Sequence, residues 1–228
     1  MPAAMTVSAI VSYDGTDNDA DAIALGRLLR RAGAEVSLAY VRHAAEPVEG
    51  REVVERQKAA RLLHAGAALL GPPEAERHVV LSASTPEGLA MLAADLGTDL
   101  IVFGSEYRTP DGHVQAGASA ERLLDGGESA IALAPAGMRG WSDTRIRALA
   151  SVAHDGGEQA QAVATGLAQK LGGEVGASPE GADVLVLASR PDSPAGHVQL
   201  TSAVRGRLDE AMVPVIVLPT GSTLAFSG

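Results

Sequence analysis

The sequence predicts an α/β protein built on a mostly parallel sheet, and three observations carry that expectation. Short apolar runs alternate with helical patterns from about residue 5 to residue 135. Hydrophobic residues make up 46% of the 228-residue chain while aromatics are only 3%. The core is therefore left to Ala, Val, Leu and Ile, which suits strands buried on both faces beneath aliphatic helices. The same strand–loop–helix unit then returns, shortened, in the second part of the chain.

Taken in order, Val7–Tyr13 is a short apolar run ended by Asp14-Gly15, the pattern of a buried strand. A helix follows from about Asn18 to Ala32, with Thr16, Asp17 and Asn18 as caps and Gly33 as its stop. Glu35–Val41 reads as a second strand, Arg51–Leu70 as a long helix closed by Gly71-Pro72-Pro73, and Arg77–Ala83 as a third strand. Thr85-Pro86 starts a helix that ends at Gly97, proline being favourable at the first helical position. Leu100–Gly104 is a fourth strand, Ser105–Gly117 a polar loop, Ser119–Leu124 a short helix and Ala130–Ala134 a fifth strand. Strands alternating with helices imply right-handed crossovers between parallel strands.

Acidic residues outnumber basic ones 28 to 18, with no basic stripe, so nucleic acid is not an expected partner. There are no cysteines, which excludes disulfides, thiolate catalysis and Cys-based zinc sites and fits a reducing compartment. No apolar run approaches the ~18 residues of a membrane span. A cytoplasmic location without membrane contact is expected. No Gly-x-Ser-x-Gly, Gly-Lys-Ser/Thr or His-Glu-x-x-His pattern occurs, so no catalytic residue is assigned. The histidines lack a second ligand at useful spacing, and no metal site is expected.

The internal repeat is specific. Tyr13-Asp14-Gly15 returns as His154-Asp155-Gly156, following the apolar stretch Ala148–Ala153. Leu100–Ser105 matches Leu185–Ser189, and Gly112-His113-Val114-Gln115 recurs unchanged as Gly196-His197-Val198-Gln199. The first match lies 141 residues on and the last only 84, so the second copy lacks about 57 residues: a helix, a strand and a helix. Residues 1–136 read as a complete unit, 137–145 as a linker holding the sole Trp141, and 146–228 as a truncated unit. Only seven residues separate Val175 from Asp183. They reach ~25 Å, where parallel crossovers normally take a dozen residues or more. The second strand of this copy is therefore either abortive or differently directed.

These residues resemble the universal stress protein family in tandem form. The resemblance covers nearly the whole chain and implies a flavodoxin-like sheet of order 3-2-1-4-5. Its motif is Gly-x2-Gly-x9-Gly-Ser/Thr after the fourth strand, with an Asp after the first. The sheet order would reverse between strands 1 and 4, opening a crevice where α/β folds take ligands. The resemblance implies ATP or AMP there, with magnesium accompanying ATP. It places Asp14 against the adenosine, Val41 on the adenine pocket, and Gly104, Ser105, Gly117 and Ser119 about the phosphates. The spacing is kept, but Tyr107 stands at the second glycine and Ala118 at the hydroxyl position. Tyr107 reads as filling the phosphate space or stacking on a base, Arg108 as a phosphate grip or a solvated loop residue, and His113 as a loop stabiliser. In the second copy Ala188 and Pro191 replace both early glycines, so that copy is expected to bind no nucleotide.

Two functions remain open at this point. One is a regulatory module that binds ATP or AMP in its first unit without efficient catalysis. The other is a scaffold acting through an unknown protein partner. The resemblance also implies pairing of the fifth strands, Ala130–Ala134 and Val213–Leu218, as an intrachain pseudo-dimer, with a further homodimer conceivable.

Overall fold

A computed structural model describes residues 6–43, 51–71, 75–141, 151–155, 157–176 and 178–226, with backbone alone at 51, 52 and 151–155. The first unit comprises β1 (Ser8–Ser12), α1 (Asp17–Arg31), β2 (Glu35–His43), α2 (Arg51–Leu70), β3 (Arg77–Ser82), α3 (Thr85–Leu96), β4 (Leu100–Phe103), α4 (Ala118–Leu124) and β5 (Ala130–Leu133). The second comprises β6 (Ser151–Asp155), α5 (Gly157–Leu171), β7 (Glu174–Gly176), β8 (Val184–Ala188), α6 (Ser202–Asp209) and β9 (Val215–Leu218).

The nine strands among the described residues form one sheet in the order β3-β2-β1-β4-β5-β9-β8-β6-β7. Every pairing is parallel except β5 with β9, which is antiparallel. The first unit thus has the order 3-2-1-4-5, and the fifth strands of the two units pair within the chain. One face of the sheet is covered by α1, α2 and α5, the other by α3, α4 and α6, with apolar clusters on both faces. Strands β4, β5, β8 and β9 are buried along their whole length, as their unbroken apolar runs require.

Local chemistry sets the element ends. The Ser84 hydroxyl accepts the Glu87 N–H at 3.4 Å and Gly97, at φ 65°, closes α3. Thr201 caps α6 by accepting from the Val204 N–H at 3.2 Å. Strand β9 starts at Val215, later than the expected Val213, because Pro214 has no N–H for the ladder and offers only its carbonyl, to Leu185. Helix α4 begins at Ala118, one residue before the expected start. The first strand of the second unit, expected at Ala148–Ala153, is described over Ser151–Asp155, and residues 148–150 lie outside the described residues.

The short connection in the second unit is resolved by β7 itself. It is abortive, three residues long, yet parallel to β6. Gly176 ends level with Ala153, and Val184 starts β8 level with Val152 on the other side of β6. The chain must cross only two strand spacings, about 10 Å, well within the reach of seven residues.

The missing α2 of the second unit is replaced by the C-terminal segment. In the first unit a Cβ on Gly26 of α1 would stand 3.3 Å from Leu70 of α2. In the second, a Cβ on Gly166 of α5 would stand 3.5 Å from Phe226. Leu224 and Phe226 are buried in the same cluster as Leu63, Ala67 and Leu70. Gln159 on α5 anchors this segment, donating to the carbonyls of Pro219 and Ser222 and accepting the Gly221 N–H.

Candidate functional site

The order reverses at β1 and β4, and the loops after these strands form the lips of a crevice at the carboxyl ends of the strands. On the β1 side the chain turns at Asp14-Gly15 into α1. Asp14 is exposed, and its Oδ1 accepts the Thr16 N–H at 3.1 Å. The Asp19 carboxylate reaches back from the first turn of α1 to accept from Asp14 N at 2.7 Å and Thr16 N at 3.1 Å. Gly15, at φ 86°, passes beneath Leu62 of α2, and the Tyr13 ring packs under Gly66. Val41 lies two residues beyond the last β1–β2 pair, Ser12 with Ala39, and is buried against Gly88 of α3.

Two carboxyl groups in contact cannot both ionise freely. Burial, and then the hydrogen bond that the protonated Asp19 carboxyl donates to the Asp14 carboxylate, push Asp19 up to about 7 from an ordinary 3.8, against the opposing pull of the two backbone N–H groups. Tyr13 is raised as well, by burial and then by the charges of Asp19 and Asp14. The β1 lip is thus an acidic pair in which Asp19 holds its proton toward neutrality.

On the β4 side, Gly104 is pressed against the N-terminus of α1: a Cβ there would run into the Asn18 backbone carbonyl. Ser105 is buried; its hydroxyl donates to the Ala134 carbonyl at 2.7 Å and accepts the Gln115 N–H at 3.2 Å. Glu106 opens a turn closed by the Thr109 N–H, with Arg108 in the left-handed region at φ 74°. Its carboxylate lies over Gly117: a Cβ on that glycine would be 2.7 Å from Glu106 Oε2. Gly117 is the extended N-cap of α4, Ala118 its exposed first residue and Ser119 its half-buried second.

Comparison with solved structures bears on the whole chain. A universal stress protein from Archaeoglobus fulgidus DSM 4304 matches 94% of this chain and 98% of its own, with a TM-score of 0.68 at 13% identity. The chain has the universal stress protein fold. A functionally unknown protein from Pseudomonas aeruginosa PAO1 is also similar, at a TM-score of 0.54 and 11% identity over 94% of this chain and 93% of its own. No protein-family model and no curated relative matches.

Within this fold the expected site residues divide. Asp14 and Val41 stand on the β1–β2 side of the crevice, Gly104, Gly117 and Ser119 on the β4–α4 side. Tyr107 is 72% exposed, with the Arg108 guanidinium 5.4 Å from its ring centre. The Ser105 hydroxyl is committed to the scaffold, and the second unit repeats the arrangement: Ser189 donates to Leu218 at 2.7 Å and accepts from Gln199 N at 3.1 Å. His113 works through its backbone carbonyl, which accepts from Ala136 N as that of His197 accepts from Thr220 N. The side chain of Asp155 lies outside the described residues. Among the described residues no group of three or more His, Asp or Glu is placed to hold a metal ion.

Two features were not read from the sequence. Asp21, in the second turn of α1, is 1% exposed and holds the turn after β5. Glu106 drew no attention because its partner Gly117 is an eleven-residue step away around a loop.

The Asp14–Asp19 pair gives a pH prediction. The folded chain keeps the Asp19 proton up to about pH 7, whereas an ordinary Asp releases it near 3.8. The folded state therefore binds more protons than the unfolded state between these values, and this group's effect is to lower stability as pH rises from about 4 to 7. Asp19→Asn keeps an oxygen for the two N–H groups and removes the titration. Relative to the parent it is expected to gain on the order of 2–4 kcal/mol between pH 4 and pH 8. Urea unfolding at the two pH values checks this, and an offset that is the same at both would refute it.

Proposed function

We propose that this chain is a regulatory module of the universal stress protein type, whose first unit, residues 1–136, takes an adenine nucleotide of low charge at the β1/β4 crevice without efficient turnover. The Glu106 carboxylate carries this reading. It sits against Gly117, at the end of the crevice where the family motif would cradle phosphates. With Asp14 and Asp17 on the facing lip, it penalises each added phosphate charge. AMP is therefore preferred over ATP, and magnesium is the means by which ATP would enter at all. The truncated unit, residues 146–228, binds no nucleotide. A cytoplasmic site of action is part of the proposal; no helix among the described residues is long and apolar enough to cross a membrane.

Calorimetric titration of AMP, and of ATP with magnesium, tests this. AMP is expected to bind one-to-one and at least several-fold more tightly than ATP. Asp14→Ala should abolish binding, and Glu106→Gln should narrow the gap between the ligands. Tighter binding of ATP than AMP would overturn the charge argument.

A second reading, a scaffold that acts through protein contacts, is favoured by the use already made of Gly104 and Ser105. Gly104 admits the close approach of α1, and Ser105 makes the same bonds as Ser189 in a unit lacking the motif glycines. Absence of binding at millimolar AMP and ATP would decide for this reading.

A further inference from the structure

The two units are related by a pseudo-twofold axis, and its position can be read from residues 84 apart. In the antiparallel β5–β9 pair, Ala132 lies opposite Ile216. On the α4/α6 face, Arg205 Nη1 lies 2.9 and 2.8 Å from the two carboxylate oxygens of Glu121. The repeated loops cross over symmetrically: Val114 N donates to the Ala211 carbonyl and Val198 N to the Gly127 carbonyl, both at 2.8–2.9 Å. The recurrent Gly-His-Val-Gln run is thus an interface element.

A residue on a twofold axis meets its own equivalent, so two like units would set identical side chains against each other. Here both axial positions are unlike. Ala132 and Ile216 are completely buried on the α1/α5 face, one small and one large. Glu121 and Arg205 are opposite charges on the other face. Two first units would place Ala beside Ala, leaving a void, and Glu beside Glu. Two second units would place Ile beside Ile, overfilling the same space, and Arg beside Arg. The His197–Glu128 approach at 3.6 Å runs the other way, since Met212 stands 84 residues on from Glu128 and two first units would keep this contact twice, but the Glu128 carboxylate is 76% exposed and the contact weak.

We infer that Ala132–Ile216 and Glu121–Arg205 form a pairing code that commits the β5 edge of the first unit to a second-type unit and rejects a like unit. The truncated copy is then a built-in partner: it closes the edge that would otherwise recruit another copy of this chain.

Two double-mutant cycles on the full chain test the code. Ile216→Ala leaves a cavity and is expected to lower the melting temperature by roughly 5–15 °C, and Ala132→Ile to lower it by roughly 2–10 °C. Ala132→Ile/Ile216→Ala together should recover most of both losses. Glu121→Arg and Arg205→Glu should each cost a few degrees at low salt, and their combination should restore them. Additive losses in both cycles would overturn the proposal. The oligomeric state tests specificity separately from stability. After refolding at high concentration, Glu121→Gln/Arg205→Gln, which removes the like-charge repulsion, is expected to give a several-fold larger dimer fraction by light scattering than the parent. Equal fractions would also overturn it.

Discussion

Replacing Asp21 with Ala is expected to cost roughly 3–5 kcal/mol of folding stability, on the order of 10 °C in melting temperature for a chain of this size. Asp21 sits in the second turn of α1, almost wholly buried. One oxygen accepts the Arg139 N–H at 2.6 Å; the other accepts the Gly137 N–H at 3.0 Å and the Arg139 guanidinium at 2.8 Å. The same guanidinium nitrogen donates to the Asp17 carbonyl. Alanine would remove the acceptor while leaving two backbone donors, and a cation set to meet it, under the turn after β5. Stranded donors of this kind account for most of the cost. Asp21→Asn should lie between, since one amide oxygen can serve only part of the set. A second readout comes from Trp141, which follows this turn and packs on the apolar cluster beneath α1. Its emission in the folded Asp21→Ala variant is expected to shift to longer wavelength. A loss below about 1 kcal/mol with unchanged emission would show that the turn is held by other contacts.

How far the sequence carried the fold follows from the range of each interaction. Helix ends at Gly97 and Leu70, the strands beginning at Glu35, Arg77 and Leu100, and the order of elements all rest on neighbours a few residues apart. The pairing of the fifth strands followed from the family resemblance, while the repeat, which gives one sequence an internal comparison, narrowed β7 to an abortive or differently directed strand. The strap that replaces α2 was not legible. Leu224 and Phe226 belong to no periodic pattern, and the glycine that Phe226 packs near, Gly166, lies sixty residues earlier. Asp21 was hidden for the same reason: its partners are 116 and 118 residues away. The exposure of Tyr107 was not legible either, since the left-handed backbone at Arg108 beside it is a conformation that the residue type itself does not advertise.

The glycine pattern of the site is where local reading reaches its limit, and two substitutions separate the roles that spacing alone merges. Gly104→Ala is expected to destabilise the chain by roughly 3 kcal/mol. Its Cβ would be driven into the Asn18 backbone carbonyl, and a backbone atom at the start of α1 cannot swing aside. Either the helix lifts from β4 or the strand moves within the sheet, and each disturbs a fully packed layer. Gly117→Ala meets only the end of the Glu106 side chain, which can rotate away, and its backbone is extended, where alanine is unstrained. Its cost is expected to stay near that of a weakened cap, about 1 kcal/mol or less. The two variants should reverse order in ligand titration, corrected for folded fraction. Gly117→Ala narrows the phosphate end of the crevice and should weaken AMP, whereas Gly104→Ala, once folded, should bind within a few-fold of the parent. If Gly104→Ala is instead tolerated and only binding suffers, the first glycine of the motif belongs to the ligand and the close approach of α1 to β4 is not what holds it in place.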